Sequence, residues 1–195
     1  MNHTGIGKQL KDIFDSFFEA DVEMWNAFAD RMILRKFKKN EIIKEADKTE
    51  NSLHFVLKGS VGNFICSKGN EICISLVIKN NFSSDYYSFL TQKPSVIYTM
   101  ALEHTELLSI SNKSLAELYS KSNKGLWLGK IIAERLFIQR QQIQIDFLTL
   151  TAEERYLKLL SEKPELFHNA SLKHIASYIG VTPESLSRLR KKIWE

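Results

Sequence analysis

Residues 171–189 run Ser171-Leu172-Lys173-His174-Ile175-Ala176-Ser177-Tyr178-Ile179-Gly180-Val181-Thr182-Pro183-Glu184-Ser185-Leu186-Ser187-Arg188-Leu189, an order of side chains that specifies two short helices joined by a minimal turn. Ser171 is placed to cap the first helix, whose apolar positions are Leu172, Ile175, Ala176 and Ile179. Gly180 supplies the left-handed backbone that ends a helix and turns the chain sharply. Val181 fills the corner and Thr182 caps the second helix. Pro183 stands at its first position, where a missing N–H is harmless. Small Ala176 permits a close helix crossing, and Leu186, Leu189 and Ile193 form the second helix's inner stripe.

The opposite face of that second helix carries Glu184, Ser187, Arg188 and Lys191, which is chemistry suited to a DNA major groove. An arginine can bond both acceptors of a guanine, and a glutamate can accept from a cytosine amino group. Glu184, Arg188 and Ser187 are therefore the expected base readers. Ser171, Lys173, Thr182, Ser185 and Lys191, most of them near helix starts, are expected to hold phosphates through hydroxyl, charge and backbone N–H. The competing reading is a small helical unit with a solvated charged face.

Upstream, Thr151 and Glu154 match a capping box opening a helix through Leu160, and Pro164 helps to end it. Before that, a long helical run extends from about Leu126 to Leu148. Steps of three and four place Ile132, Leu136 and Ile143 on one stripe, the expected dimer seam, while Trp127, Ile131, Ile138 and Ile145 form a second apolar side. A helix apolar on two sides needs two coverings, such as its own chain and a second copy; a helix packed only within its own chain is the alternative.

From Ile33 to Ile110 the texture changes to short runs separated by turn residues, ILRKF, EIIKE, SLHFVLKG, VGNFIC, EICISLVI, VIYTMAL and ELLSI, which predicts seven or eight strands in a compact sandwich or barrel. If Gly69-Asn70 is a two-residue hairpin loop, Cys66 and Cys73 lie opposite one another, either as a packed pair of reduced core thiols or as a redox-sensing disulfide. Asp85 is placed to cap the short DYYSFL helix. The first residues are helical by spacing, with Leu10, Ile13, Phe14, Phe17 and Phe18 on one helix and Val22, Trp25, Phe28 and Ala29 on a second that Asp21 would cap.

The balance of 44% hydrophobic and 26% charged residues in 195 fits a globular protein of one medium unit and one small one, and a net charge of +4 is compatible with a polyanionic partner without requiring one. No stretch approaches a membrane span, and Lys8, Lys11, Asp12 and Asp15 interrupt any signal-peptide core, so a cytoplasmic location with no membrane partner is expected. Two cysteines and five dispersed histidines, His3, His54, His104, His168 and His174, provide neither a structural metal site nor an iron–sulfur site. Metal chemistry of the cupin type needs several histidines converging with a carboxylate, so no catalytic residues, metal or cofactor are predicted. Haem ligation through His54 or His104 is the weaker alternative.

Taken together, FVLKGSVGNF, the long helix and the helix-turn-helix resemble the Crp/Fnr family of transcription regulators over nearly the whole chain. The resemblance implies an α+β fold: N-terminal helices and a jelly-roll-like β-roll in a sensor domain over residues 1–122, a dimerisation helix over 123–148, and a helix-turn-helix domain over 149–195 without a full wing. It implies a homodimer reading a pseudo-palindromic site in double-stranded DNA, with RNA polymerase as a further partner, and puts Glu184 and Arg188 at base-contacting positions. Pro183 stands where some members carry a third, arginine contact. Family members that bind cyclic AMP have a Gly-Glu pair followed by an arginine beside a small hydroxyl residue. Here the matching segment is Phe82-Ser83-Ser84-Asp85, then Pro94-Ser95-Val96, with Ser95 at the arginine's place. The expected ligand pocket is thus Ser84, Asp85, Ser95 and Val96. No arginine occurs between Arg35 and Arg135, so no guanidinium fork is available to a cyclic phosphate; Lys79 or Lys93 could offer only a point charge. Cyclic AMP is therefore not the expected effector, and a different small molecule is compatible with the pocket. The alternative is a ligand-binding or protein-interaction module with degenerate DNA binding.

Overall fold

The computed structural model describes residues 3–15, 19–121 and 123–194. Two helices, α1 (His3–Phe14) and α2 (Val22–Ala29), precede eight strands: β1 (Ile33–Phe37), β2 (Ile42–Lys44), β3 (Ser52–Lys58), β4 (Ser60–Ser67), β5 (Asn70–Ile78), β6 (Phe82–Ser83), β7 (Ile97–Ala101) and β8 (Thr105–Ser111), with α3 (Tyr86–Thr91) between β6 and β7. Then follow α4 (Asn112–Lys121), α5 (Asn123–Thr149), α6 (Ala152–Glu162), α7 (Leu166–Asn169), α8 (Leu172–Ile179) and α9 (Pro183–Trp194). The fold is α+β. The strands form two antiparallel four-stranded sheets in the orders β1-β8-β3-β6 and β2-β7-β4-β5, closed into a roll. Phe37, Ile43, Val56, Val61, Ala101 and Leu107 fill the space between them.

The two sheets have different coverings. On the first sheet, Phe55, Phe82, Leu108 and Ile110 pack with Leu10, Phe14, Trp25 and Phe28 of α1 and α2, and Phe14 stacks on Trp25 at 5.5 Å. Phe17 and Phe18 lie outside the described residues. Asp21 occupies the N-cap position of α2, but its carboxylate makes no capping bond and pairs instead with Lys124. A cationic partner from α5 outcompetes the helix N–H groups for it.

The hairpin between β4 and β5 departs from expectation. Ser67 pairs with Asn70, so the loop is Lys68-Gly69, both left-handed at φ 51° and 78°. That is the backbone a two-residue hairpin turn demands, and Lys68 adopts it despite its side chain. The register therefore places Cys66 opposite Glu71 and Cys73 opposite Phe64, with a bulge at Asn63/Phe64. The expected cysteine pair does not exist. Cys66 is exposed, Cys73 is buried, and burial pushes the Cys73 thiol well above its ordinary range. Cys66 is thus not a core thiol.

After the roll, α5 runs along it for 27 residues and carries the chain to α6–α9. These last helices do not stand apart. Tyr156, Leu159, Ile175 and Ile179 form one apolar cluster with Phe64, Cys73, Leu76 and Met100 of the second sheet. The small helical unit is docked on the β-roll through α8 and β5.

Candidate functional site

The turn between α8 and α9 takes the form its residues specify. Ser171 Oγ accepts from the His174 N–H at 3.1 Å, and Gly180 is left-handed at φ 78°, its N–H bonded to the Ser177 carbonyl at 3.1 Å. The Val181 N–H bonds the Ala176 carbonyl at 2.9 Å, closing the corner. Thr182 Oγ1 accepts from the Ser185 N–H at 3.2 Å and so caps α9. Ile175, Ala176, Ile179 and Leu186 are buried where the helices cross, whereas Leu172 is exposed.

Glu184, Ser187, Arg188 and Lys191 are all exposed on α9. Bonds from its own backbone N–H and from Thr182 hold the Glu184 carboxyl below its usual range, so it is an acceptor at neutral pH. Arg188 Nη2 donates to Ser185 Oγ at 3.3 Å, which steadies the guanidinium without occupying most of its donors. Lys173 is exposed but directed at the roll, with its Nζ 3.4 Å from Glu71 Oε1. A phosphate contact by Lys173 requires that it leave Glu71.

Glu71 is the centre of the seam between the helical unit and the roll. Its carboxylate accepts from the Tyr98 hydroxyl and meets His174 Nε2 at 3.0 Å. Burial opposes its ionisation, yet the Tyr98 bond and the positive charge of Lys173, joined by His174 only when that ring is protonated, outweigh this and hold its carboxyl low. Burial also lowers His174, more than Glu71 raises it. Near neutrality the imidazole is therefore uncharged, and Tyr98 and Lys173 are what hold the carboxylate. Nearby, Ser177 Oγ accepts from the Cys73 N–H at 2.8 Å, Lys163 Nζ donates to the Leu76 carbonyl at 2.7 Å, and Asn169 reaches Glu103 at 2.9 Å.

A cavity of about 650 Å³ lies where the roll, α5 and the helical unit meet. Ser84 and Asp85 are among the residues that line it. Ser95 is not part of the wall; its hydroxyl donates to Asp85. Val96 is 61% exposed and is not part of the cavity wall. Asp85 caps α3 by accepting from the Ser88 N–H at 3.3 Å, and its other oxygen takes a buried ion pair from Lys44 at 2.8 Å. Lys44 Nζ also donates to the Ile97 carbonyl at 2.7 Å and lies 3.3 Å from Ser95 Oγ. An ammonium has three protons, and all three have acceptors here. Lys79 and Lys93 do not line the cavity. Lys44 was missed in the sequence because its partner is 41 residues away and no local pattern links them.

Residues 34–122 match the family described as "Cyclic nucleotide-binding domain". Among curated proteins no sequence matches the chain. Among solved structures, FixK2 from Bradyrhizobium japonicum superposes with a TM-score of 0.70 at 16% identity, covering 83% of this chain and 84% of that one. The c-di-GMP-responsive global regulator CLP of Xanthomonas campestris gives 0.69 at 18% identity, with 89% and 92% covered. A regulator of the crp/fnr family from Eubacterium rectale gives 0.67 at 17% identity, with 94% and 88% covered. The chain has the Crp/Fnr fold.

Within the Crp/Fnr fold the long helix α5 presents opposite faces to its own chain and to solvent, and the expected seam lies on the inner one. Ile132 is 2% exposed in the core beneath the first sheet, Leu136 packs against that core, and Leu136 and Ile143 line the cavity. Ile132 is buried, and Leu136 and Ile143 are half-buried. The exposed apolar stripe is the other side, with Trp127 at 53%, Ile138 at 65% and Ile145 at 48%. The histidines proposed for haem are engaged: His54 Nδ1 is 2.7 Å from Ser109 Oγ, and His104 Nδ1 is 2.9 Å from the Phe37 carbonyl. Among the described residues no helix is long and apolar enough to cross a membrane, and no three metal-binding side chains converge.

Proposed function

We propose that this chain is a cytoplasmic DNA-binding transcription regulator that acts as a homodimer and does not respond to cyclic AMP. The observation that carries the reading is the exposed set Glu184, Ser187 and Arg188 on one face of a capped α9, held by a turn whose every bond is made. These three are the base readers. Ser171, Thr182, Ser185 and Lys191 hold phosphates beside them, with Lys173 joining when released from Glu71. The homodimer forms across Trp127, Ile138 and Ile145, the outward stripe of α5, in place of the buried one. Solved structures of the same fold belong to regulators, which favours this reading over an enzyme.

The pairing of Lys44 with Asp85, Ile97 and Ser95, which commits that ammonium within the chain, supports the absence of a cyclic AMP response. Micromolar cyclic AMP affinity by calorimetry would overturn this part. A second reading, a ligand-binding module without DNA binding, is favoured by the docking of α8 on β5 and the pairing of Lys173 with Glu71. Fluorescence anisotropy with mixed-sequence duplex DNA separates the two. Binding that weakens steeply with salt, and whose log–log salt slope falls by about one unit in Lys173→Ala, supports the regulator. Absence of binding at low salt supports the second reading.

A further inference from the structure

The cavity between the roll, α5 and the helical unit has a chemistry of its own. Ile74, Leu76, Tyr86, Leu136, Ile143 and Tyr178 make it predominantly apolar, and its volume of about 650 Å³ lies within the roughly 300–1,000 Å³ of small-molecule sites. Of the cations on its wall, Lys158 pairs with Asp146 at 2.7 Å, while Arg140 Nη1 donates to the Ile74 carbonyl at 2.9 Å and Lys163 to the Leu76 carbonyl at 2.7 Å. The carboxylate of Asp85 is neutralised by Lys44. Asn63 is satisfied at both ends, by Ser75 at 2.6 Å and Thr99 at 2.7 Å. Ser83 is different. It lines the cavity at 2% exposure, and its Oγ has no hydrogen-bond partner. A buried hydroxyl without a partner carries a desolvation penalty that a ligand atom would relieve.

We infer that this cavity binds a predominantly apolar small molecule with a hydrogen-bonding group that meets Ser83 Oγ. Such a ligand touches β5 and β6 of the roll, α5, and Tyr178 of α8 together, so its occupancy bears on how the helix-turn-helix sits against the roll. The regulatory meaning of the site rests on the DNA-binding reading. Occupancy of the site does not.

The test uses the full chain without DNA and N-phenyl-1-naphthylamine, an uncharged apolar fluorophore with a single N–H, as the probe. The expected result is a saturable rise in fluorescence with micromolar affinity and one site per chain, unchanged by millimolar cyclic AMP. Ser83→Ala should weaken the probe about fivefold, the size of one lost hydrogen bond. Ala133→Trp, which puts an indole into the cavity, should weaken it by at least about tenfold, as expected when the site no longer has room for the ligand. Ser83→Ala alone carries the test if Ala133→Trp does not fold. No saturable binding, affinity unchanged in Ser83→Ala, or displacement by cyclic AMP would each overturn the inference. Because DNA is absent, such a failure leaves the DNA-binding reading standing, and failure to bind DNA leaves this one standing.

Discussion

The Lys44–Asp85 pair links β2 to α3, and its energetics are those of a buried charge pair, with side-chain exposures of 5% and 0%. Lys44→Met strands a carboxylate and is expected to cost about 3–5 kcal/mol, whereas adding Asp85→Leu should restore most of the loss. Chemical denaturation of the two variants checks this; equal stabilities would contradict it. His174 gives a pH dependence. Burial holds its imidazole below the ordinary 6.5, so unfolded chains bind the proton first. Its contribution is complete above about pH 6.5 and falls as pH drops below that; Glu71, also lowered, follows at more acid pH. The melting temperature should decline as pH falls below about 6.5, and His174→Asn should flatten that decline. At the reading face, Arg188→Ala should cost about 1–3 kcal/mol on a specific site and relax preference at one base pair per half-site. The Asp85 cap was legible in the sequence because it depends on neighbours within a few positions. Lys44 and Glu71 were not, because their partners come from distant strands and helices.

At the scale of elements, the turn chemistry that organised the C-terminal helices was readable because caps and left-handed glycines act locally. Gly180→Ala should destabilise by about 1–2 kcal/mol from its left-handed backbone alone, and the added Cβ would lie 2.7 Å from the Phe147 ring. Thr151→Ala should cost about 1 kcal/mol, since the threonine and Glu154 close a complete capping box. Thermal melts of both variants measure these losses. Where the sequence misled, the deciding information was not local. Spacing located two apolar sides on α5 but not which one meets the roll, and Ile132, Leu136 and Ile143 proved to be inward. The β4–β5 loop slipped by one residue because Lys68 accepted a left-handed turn that Asn70 suits better by type, and that slip separated the cysteines. Ile138→Asp, on the outward stripe, should shift the chain from dimer to monomer in sedimentation; an unchanged mass would exclude that stripe as the seam.

Across the whole molecule, the roll and the helical unit share continuous apolar packing, α8 docks on β5 through Glu71 and Ser177, and Lys163 at the end of α6 bonds β5 beside them. Element types and their order were legible because periodicity changes from helix to strand and back along the chain. The docking was not, since nothing in the spacing of α8 distinguishes a face turned to DNA from one turned to the roll. In the proposed homodimer, two copies of α9 would meet successive major-groove faces of one duplex. Selection of binding sites from random duplex DNA at low salt tests that claim most directly. The account predicts an enriched inverted repeat with half-site centres about 10–10.5 base pairs apart, and recovery of no enriched motif would contradict it.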